Sequence, residues 1–516
     1  MTPADLLALL VAWPLLAAVG PLLLARRWPR AAQFGTALVL AGQVALAGLV
    51  LALVAAGGPL SYVVGGIPAA FGIGLLADRL SAALALLVAV GALGAFLSDR
   101  VTHDGPYGSL WLLLVAGLTG VVVTADLFNL YVFLEISGLA AYALVAHARG
   151  TDAALAALKY LLAGTVGATL YLLGVGYAFV TTGTLAMADL APALAAAGHD
   201  STLVVASFAL LATGLGVKLA LFPLHTWKPD AYSAAPPAVA AALAALGSTV
   251  AAYALVRITY GVYGAAFFEA VPTVRTVLLG AAAASVVAGG VLALRATDVR
   301  RLLAYSSVSQ FGLVALGVGL ASPTALAGAL VALVGHAVAK GGLFVAVGTF
   351  DRSYGVRSVA DYAGLARRTP LGTFAVAALA VSLVGLPPTV GFAGKWLLAL
   401  GAVETGQWAV AAVVVLSTLL SLAYVGRLVE RLYLGESTGP TPVATDGGER
   451  TGGSRTSSDE QRESDGSERS GEPRPPARPD PLALSFVVAS AALVVALGLG
   501  AGALTDWFAP VVEGWL

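Results

Sequence analysis

Apolar residues recur along this chain in uninterrupted runs of about twenty, the length a helix needs to cross a hydrocarbon layer roughly 30 Å thick. The runs fall at 5–25, 34–56, 80–98, 109–125, 127–147, 155–181, 201–223, 234–258, 272–294, 301–320, 323–349, 371–400, 407–434 and 482–504, separated by Gly, Pro or charge. They lack the period-two alternation of a barrel and are too long for its strands, so strands are not expected. The predicted fold is an all-α membrane protein with about 14 transmembrane helices. Two runs carry prolines, near 218–225 and 385–395. A proline inside a helix removes a backbone donor and opens the ladder, so broken helices are expected at both places.

Composition agrees, with 59% hydrophobic residues and 11% charged, against about 25% charged in an ordinary soluble protein. That excludes a water-soluble enzyme. Ten acidic and six basic residues crowd between Glu436 and Asp480, which leaves the apolar remainder poorer still in charge. The segment 435–481 is rich in Gly, Ser, Pro, Glu and Arg, too polar to offset its chain entropy by burial, and is predicted to be a disordered loop before the last span. Net charge is zero, so nucleic acid is not an expected partner. With no Cys, two Met and five scattered His, no metal site or cofactor is expected. No Walker A motif is present, so ATP is not an expected energy source.

Basic residues resist translocation, so their distribution over alternate loops tests the span count. One side receives Arg26, Arg27, Arg30, Arg100, Arg149, Lys228, Arg295, Arg300, Arg301, Arg352, Arg357, Arg367, Arg368, Arg427 and Arg431, and the other only Arg79, Arg257 and Arg275. The asymmetry places both termini outside and the loop 435–481 in the cytoplasm. The first run follows Asp5 and precedes Arg26 and Arg27, the reverse of a cleavable leader, and is expected to be the first span. Glu135 and Gln310 lie in comparable spans, as do Lys218 and Lys395, which suggests a repeat shifted by five spans and therefore inverted.

Charged groups at bilayer depth are the informative residues, because a Lys or Asp at a helix centre costs about 2.5–3.5 kcal/mol on insertion scales and persists where it is paired or hydrated. Glu135 lies a third of the way into the fifth run, where its carboxyl can hold or release a proton; the alternative is a structural ion pair. Lys218 precedes Pro223 at the first predicted break, and snorkelling is its alternative reading. His336 and Lys340 sit four apart, the spacing at which helix side chains meet. Lys395 follows Gly385-Leu-Pro387-Pro388 at the second break, where an interfacial anchor is the competing role. His225, Lys228 and Asp230 are expected at the mouth of the broken seventh span, with His225 a candidate for proton entry, and Arg257 is expected to cap a span.

With those residues located, the sequence resembles the antiporter-like subunit family shared by respiratory complex I and multi-subunit Na+/H+ (Mrp-type) antiporters, and most resembles the Mrp D-type member of that family. The resemblance rests on Asp126-Leu-Phe-Asn-Leu-Tyr-Val-Phe-Leu-Glu135, on Lys218 through Asp230-Ala-Tyr232, on Arg301-Leu-Leu-Ala-Tyr-Ser-Ser-Val-Ser-Gln310, on His336-Ala-Val-Ala-Lys340, and on Gly385 through Trp396. It implies fourteen helices with two inverted five-helix repeats, giving helices 1–3 over 1–108, repeats over 109–258 and 272–434, the loop 435–481, and a last helix in 482–516. It further implies a hydrated proton relay in mid-membrane, with Glu135 and Lys218 in the first half, His336 and Lys340 at the centre and Lys395 at the end. The implied partners are other membrane subunits of a hetero-oligomeric complex, with protons and Na+ as cargo.

One position departs from the family. A lysine is common in its eighth span, where this chain carries Thr249. A hydroxyl orders water but carries no cation, so either water bridges Lys218 to His336 or transfer is impaired. Three functions follow from these residues: a proton-conducting subunit of a cation/proton antiporter, a pump module of a complex I-like or membrane hydrogenase assembly, and a structural subunit that has lost transport.

Overall fold

The computed structural model describes residues 2–66, 72–99, 105–148, 150–435 and 479–516. Arg100, His103, Arg149 and nearly all of the predicted loop 435–481 lie outside the described residues. Within them the chain is helical almost throughout, and thirteen helices are long and apolar enough to cross a membrane.

The spans are α1 (Asp5–Leu24), α2 (Pro29–Gly57), α3 (Arg79–Leu97), α4 (Gly105–Val123), α5 (Leu127–Ala146), α6 (Thr151–Thr182) and α7 (Thr202–Leu219). The short α8 (Trp227–Ala234) continues α7 after an interruption. Beyond it come α9 (Pro237–Tyr263), α10 (Pro272–Arg295), α11 (Val299–Leu320) and α12 (Pro323–Tyr354). Two fifteen-residue helices, α13 (Pro370–Val384) and α14 (Val390–Glu404), together make the remaining crossing. Then follow α15 (Trp408–Leu434) and α16 (Pro481–Leu499), and a terminal α17 (Ala501–Glu513). Both predicted breaks are present, at Ala220–Thr226 and Gly385–Thr389.

Burial separates the centre of the bundle from its flank. Of their most apolar windows, α9 and α12 bury 94% and α11 buries 89%, whereas α1, α10 and α15 bury 33% each. The central helices are buried on nearly every side, as helices surrounded by protein are. The flanking ones turn Leu, Val and Phe outward, as a hydrocarbon solvent allows.

Three features differ from the sequence expectation. The loop before α3 holds a short antiparallel hairpin, β1 (Leu60–Val63) with β2 (Gly74–Ala77); the absence of alternation in the spans says nothing about the loops between them. The last span does not run to residue 504, because Gly500 interrupts it and α17 begins there with Phe508 and Val512 buried. Arg257 is not a simple end cap. It is buried, its Nη2 donates to Asp78 Oδ2 at 2.6 Å, its Nε donates to the Tyr253 hydroxyl at 3.0 Å, and its guanidinium lies 5.1 Å from the Trp515 ring.

The ion pairs fall into two groups. Asp230 accepts from Lys159 at 2.7 Å and from Arg301 at 2.6 Å. Asp351 accepts from Arg300 and from Arg357, each at 3.0 Å. Arg352 reaches Asp99 at 3.8 Å. The second group gathers Asp78, Arg257 and Trp515, with Arg79 stacked on Trp507.

Candidate functional site

Helix α5 starts with Asp126, whose carboxylate accepts from the Asn129 amide, and this register aims Glu135 at α7. Lys218 Nζ donates to Glu135 Oε1 at 2.8 Å and to the Tyr142 hydroxyl at 3.1 Å. Tyr142 fits there because residue 164 on α6 is glycine: a Cβ at that position would lie 1.8 Å from the Tyr142 hydroxyl oxygen. A cavity of about 30 Å³ adjoins Lys218, lined by Ser137, Tyr160, Tyr232, Gly247 and Ser248 among others. That volume and its polar rim suit water. Its α9 wall includes the wide π-helical turn Leu243–Gly247, a local widening often found at functional sites.

The break after Lys218 exposes carbonyls that a continuous helix would have paired. Two side chains from the far side of the break donate to carbonyls at its edge, that of Val217 being shared with the Ala220 amide at 3.0 Å. Trp227 Nε1 donates to the Val217 carbonyl at 3.0 Å, and Lys228 Nζ donates to the Leu219 carbonyl at 2.8 Å. The sequence pattern puts Lys228 on the basic loop at the span's mouth; it is fully buried instead, with its ammonium 4.7 Å from the centre of the Phe311 ring. Trp-Lys-Pro-Asp reads as a loop in sequence, and the amine is buried because its side chain reaches back across the break to the Leu219 carbonyl.

The second break repeats this device. Lys395 on α14 is 6% exposed, and its Nζ donates to the Val384 carbonyl at 2.9 Å and to Ser421 Oγ at 3.3 Å. Gln310 of α11 donates to the neighbouring Leu383 carbonyl at 3.0 Å. Gly385 permits the break twice over. It takes φ +84°, and a Cβ there would meet Lys395 Cδ at 2.8 Å.

His336 and Lys340 lie on α12 in the deepest part of the bundle. Their i, i+4 spacing predicts a mutual contact, but the two side chains turn to different partners. Lys340 donates to the Leu303 carbonyl at 2.6 Å and to the Ser306 hydroxyl of α11. The His336 ring packs edge-on to Phe311, 4.7 Å between centres, and neither nitrogen has a hydrogen-bond partner among the described residues. Thr249 is buried with its hydroxyl likewise unpartnered.

His225 does not stand in an open mouth: it is buried against Phe222 and Tyr305. The open polar cavity at this end, about 330 Å³, is lined by Asp152, Lys159, Asp230, Ser233 and Arg301. No group of three or more His, Cys, Asp or Glu among the described residues is arranged to hold a metal ion.

A polytopic bundle that buries several lysines, two histidines and a carboxylate–lysine pair among apolar helices has the make-up of an antiporter-like membrane subunit. The family described as NADH:quinone oxidoreductase/Mrp antiporter matches residues 124–421, more than half of the chain, and the protein belongs to that family. It is 46% identical to the N-type subunit of NADH-quinone oxidoreductase from Desulforudis audaxviator, over 77% of this chain and 79% of that one. It is 31% identical to the D-type subunit of the Na(+)/H(+) antiporter from Bacillus subtilis, over 82% and 86%. Among solved structures, a chain of the Mrp complex from Dietzia sp. superposes with a TM-score of 0.86 at 29% identity, covering all of this chain and 98% of that one. A chain of respiratory complex I from Thermus thermophilus gives 0.80 at 26%, over 99% and 98%.

Proposed function

We propose that this chain translocates protons as one subunit of a multi-subunit monovalent cation (Na+)/proton antiporter. The carrying observation is the Glu135–Lys218 pair at 2.8 Å with Lys340 and Lys395 buried further along the bundle. Each such amine costs about 2.5–3.5 kcal/mol to place at a helix centre, and lipid-facing packing gives no return for it. In this reading Glu135 leaves or joins Lys218 as its protonation changes, and the altered field moves protons on Lys340 and Lys395 through water and hydroxyls. The two breaks, each with a lysine on an exposed carbonyl, fit inverted repeats over 109–258 and 272–434. The relay sites are Glu135, Lys218, His336, Lys340 and Lys395, with His225 beside the first break.

The Mrp and complex I likenesses support other membrane subunits as partners. The basic end of the bundle faces the cytoplasm and the termini face outward. A charge crossing 100 mV carries about 2.3 kcal/mol, enough to drive a second cation if the two movements are coupled.

The 46% identical NADH-quinone oxidoreductase relative favours a second reading, in which the same relay is driven by redox chemistry in a complex I-like assembly. Purification from the native membrane separates the two. Small membrane subunits alone support the antiporter, and subunits with flavin or iron–sulfur absorbance support the redox-driven pump. The relay itself is tested by Glu135→Gln in inside-out vesicles containing the whole complex. The expected result is loss of cation-dependent pH-gradient changes; an unaltered gradient in a fully assembled complex rejects the relay.

A further inference from the structure

We infer that Lys228 is a proton-carrying residue and forms the link between the Glu135–Lys218 pair and the His336–Lys340 centre; this rests on the relay proposed above. Without it the relay has a gap. On α9 the hydroxyls beside the water-sized cavity are that of Ser248, which lines it, and that of the adjacent Thr249, which has no partner among the described residues, and neither can carry a cation.

Lys228 touches both sides of that gap. Its Nζ is bonded to the carbonyl of Leu219, the residue after Lys218. It lies 5.7 Å from the ring centre of Tyr232, which lines the Lys218 cavity. On the other side it faces Phe311, whose ring packs on His336. It is near enough to act electrostatically on both His336 and Lys340, and His225 is the other titratable group facing it. Among the described residues it has no carboxylate partner, so its charge is balanced only by a carbonyl dipole and ring faces.

The parallel with Lys395 strengthens the assignment. Each lysine follows a break, reaches back across it and donates to a carbonyl at the end of the preceding half-helix, Leu219 in one case and Val384 in the other. In chain position Lys218 is the counterpart of Lys395, but in construction Lys228 is. A carbonyl-bound amine can release its proton to water and rebind one, whereas a guanidinium cannot be deprotonated in a protein.

The test compares Lys228→Gln, Lys228→Arg and Glu135→Gln in the assembled complex, measuring the initial rate of cation-dependent pH change in inside-out vesicles and the yield of intact complex. Gln and Arg both retain a donor for the Leu219 carbonyl, so a merely structural Lys228 would tolerate them. The expected result is a fall of about tenfold or more in rate for both variants, the scale of losing a positioned proton carrier, with normal assembly. A wild-type rate in either Lys228 variant, with Glu135→Gln inactive, overturns the inference and leaves the relay standing. Wild-type rates in all three overturn both. If Lys228→Gln fails to assemble, Lys228→Arg decides by the same criterion.

Discussion

Glu135 and Lys218 behave as one unit, because neither charge is comfortable at that depth alone. Neutralising one partner should lower the stability of the detergent-solubilised protein by about 1–3 kcal/mol, the cost of stranding a partly buried charge. The double change Glu135→Gln with Lys218→Met should recover most of that stability and none of the transport, which thermal unfolding and vesicle assays read separately. Asp78 and Arg257 form a second largely buried pair, in the group apart from Asp230 and Asp351. Arg257→Met should cost about 3 kcal/mol in stability while leaving proton flux per assembled complex intact. Outside the spans, Asp361 feels slight burial that raises its pKa, but the amides of Ser358 and Arg357, donating at 2.7 and 3.1 Å, outweigh it and hold the carboxyl below its ordinary value. A depressed carboxyl stabilises its turn above the unfolded aspartate pKa of about 3.9, and that contribution is lost as pH falls through the lower folded value. Amide exchange at Ser358 and Arg357 should therefore lose protection only on acidification below that range, and Asp361→Asn should weaken protection at neutral pH.

The broken helices are the elements on which the proposed relay depends, and their construction makes a further substitution informative. Gly385→Ala combines a left-handed backbone, costing about 1–2 kcal/mol for a residue with a side chain, with a collision at Lys395 Cδ. It should lower both the unfolding temperature and the flux, whereas Gly176→Ala, whose added Cβ would have no neighbour within 4 Å, should lower neither. Run length and interior prolines made the helices and both breaks legible in the sequence, and isolated charges in apolar runs picked out Glu135, Lys218 and Lys395. What sequence could not supply was direction. Four-residue spacing put His336 and Lys340 on one face of α12, yet α11 decides where each points, by offering Phe311 to one and Ser306 to the other. Lys228 looked like a loop residue because its burial depends on its side chain reaching back across the short interruption Ala220–Thr226 to the Leu219 carbonyl, which hydropathy averages away. Arg257 looked terminal because its partner Asp78 is 179 residues distant.

At the scale of the molecule, α11 is the spine of the proposed relay. Leu303, Ser306, Gln310 and Phe311 on that one helix meet Lys340, the second break, His336 and Lys228. Asp230 belongs to the helix that follows the first break, and it grips Lys159 of α6 and Arg301 of α11 together. That carboxylate therefore rivets three helices drawn from both halves of the bundle. Its two cations are about half exposed, so each pair adds little on its own and the clasp loosens as ionic strength rises, a dependence that the unfolding temperature of the solubilised protein in high salt reads.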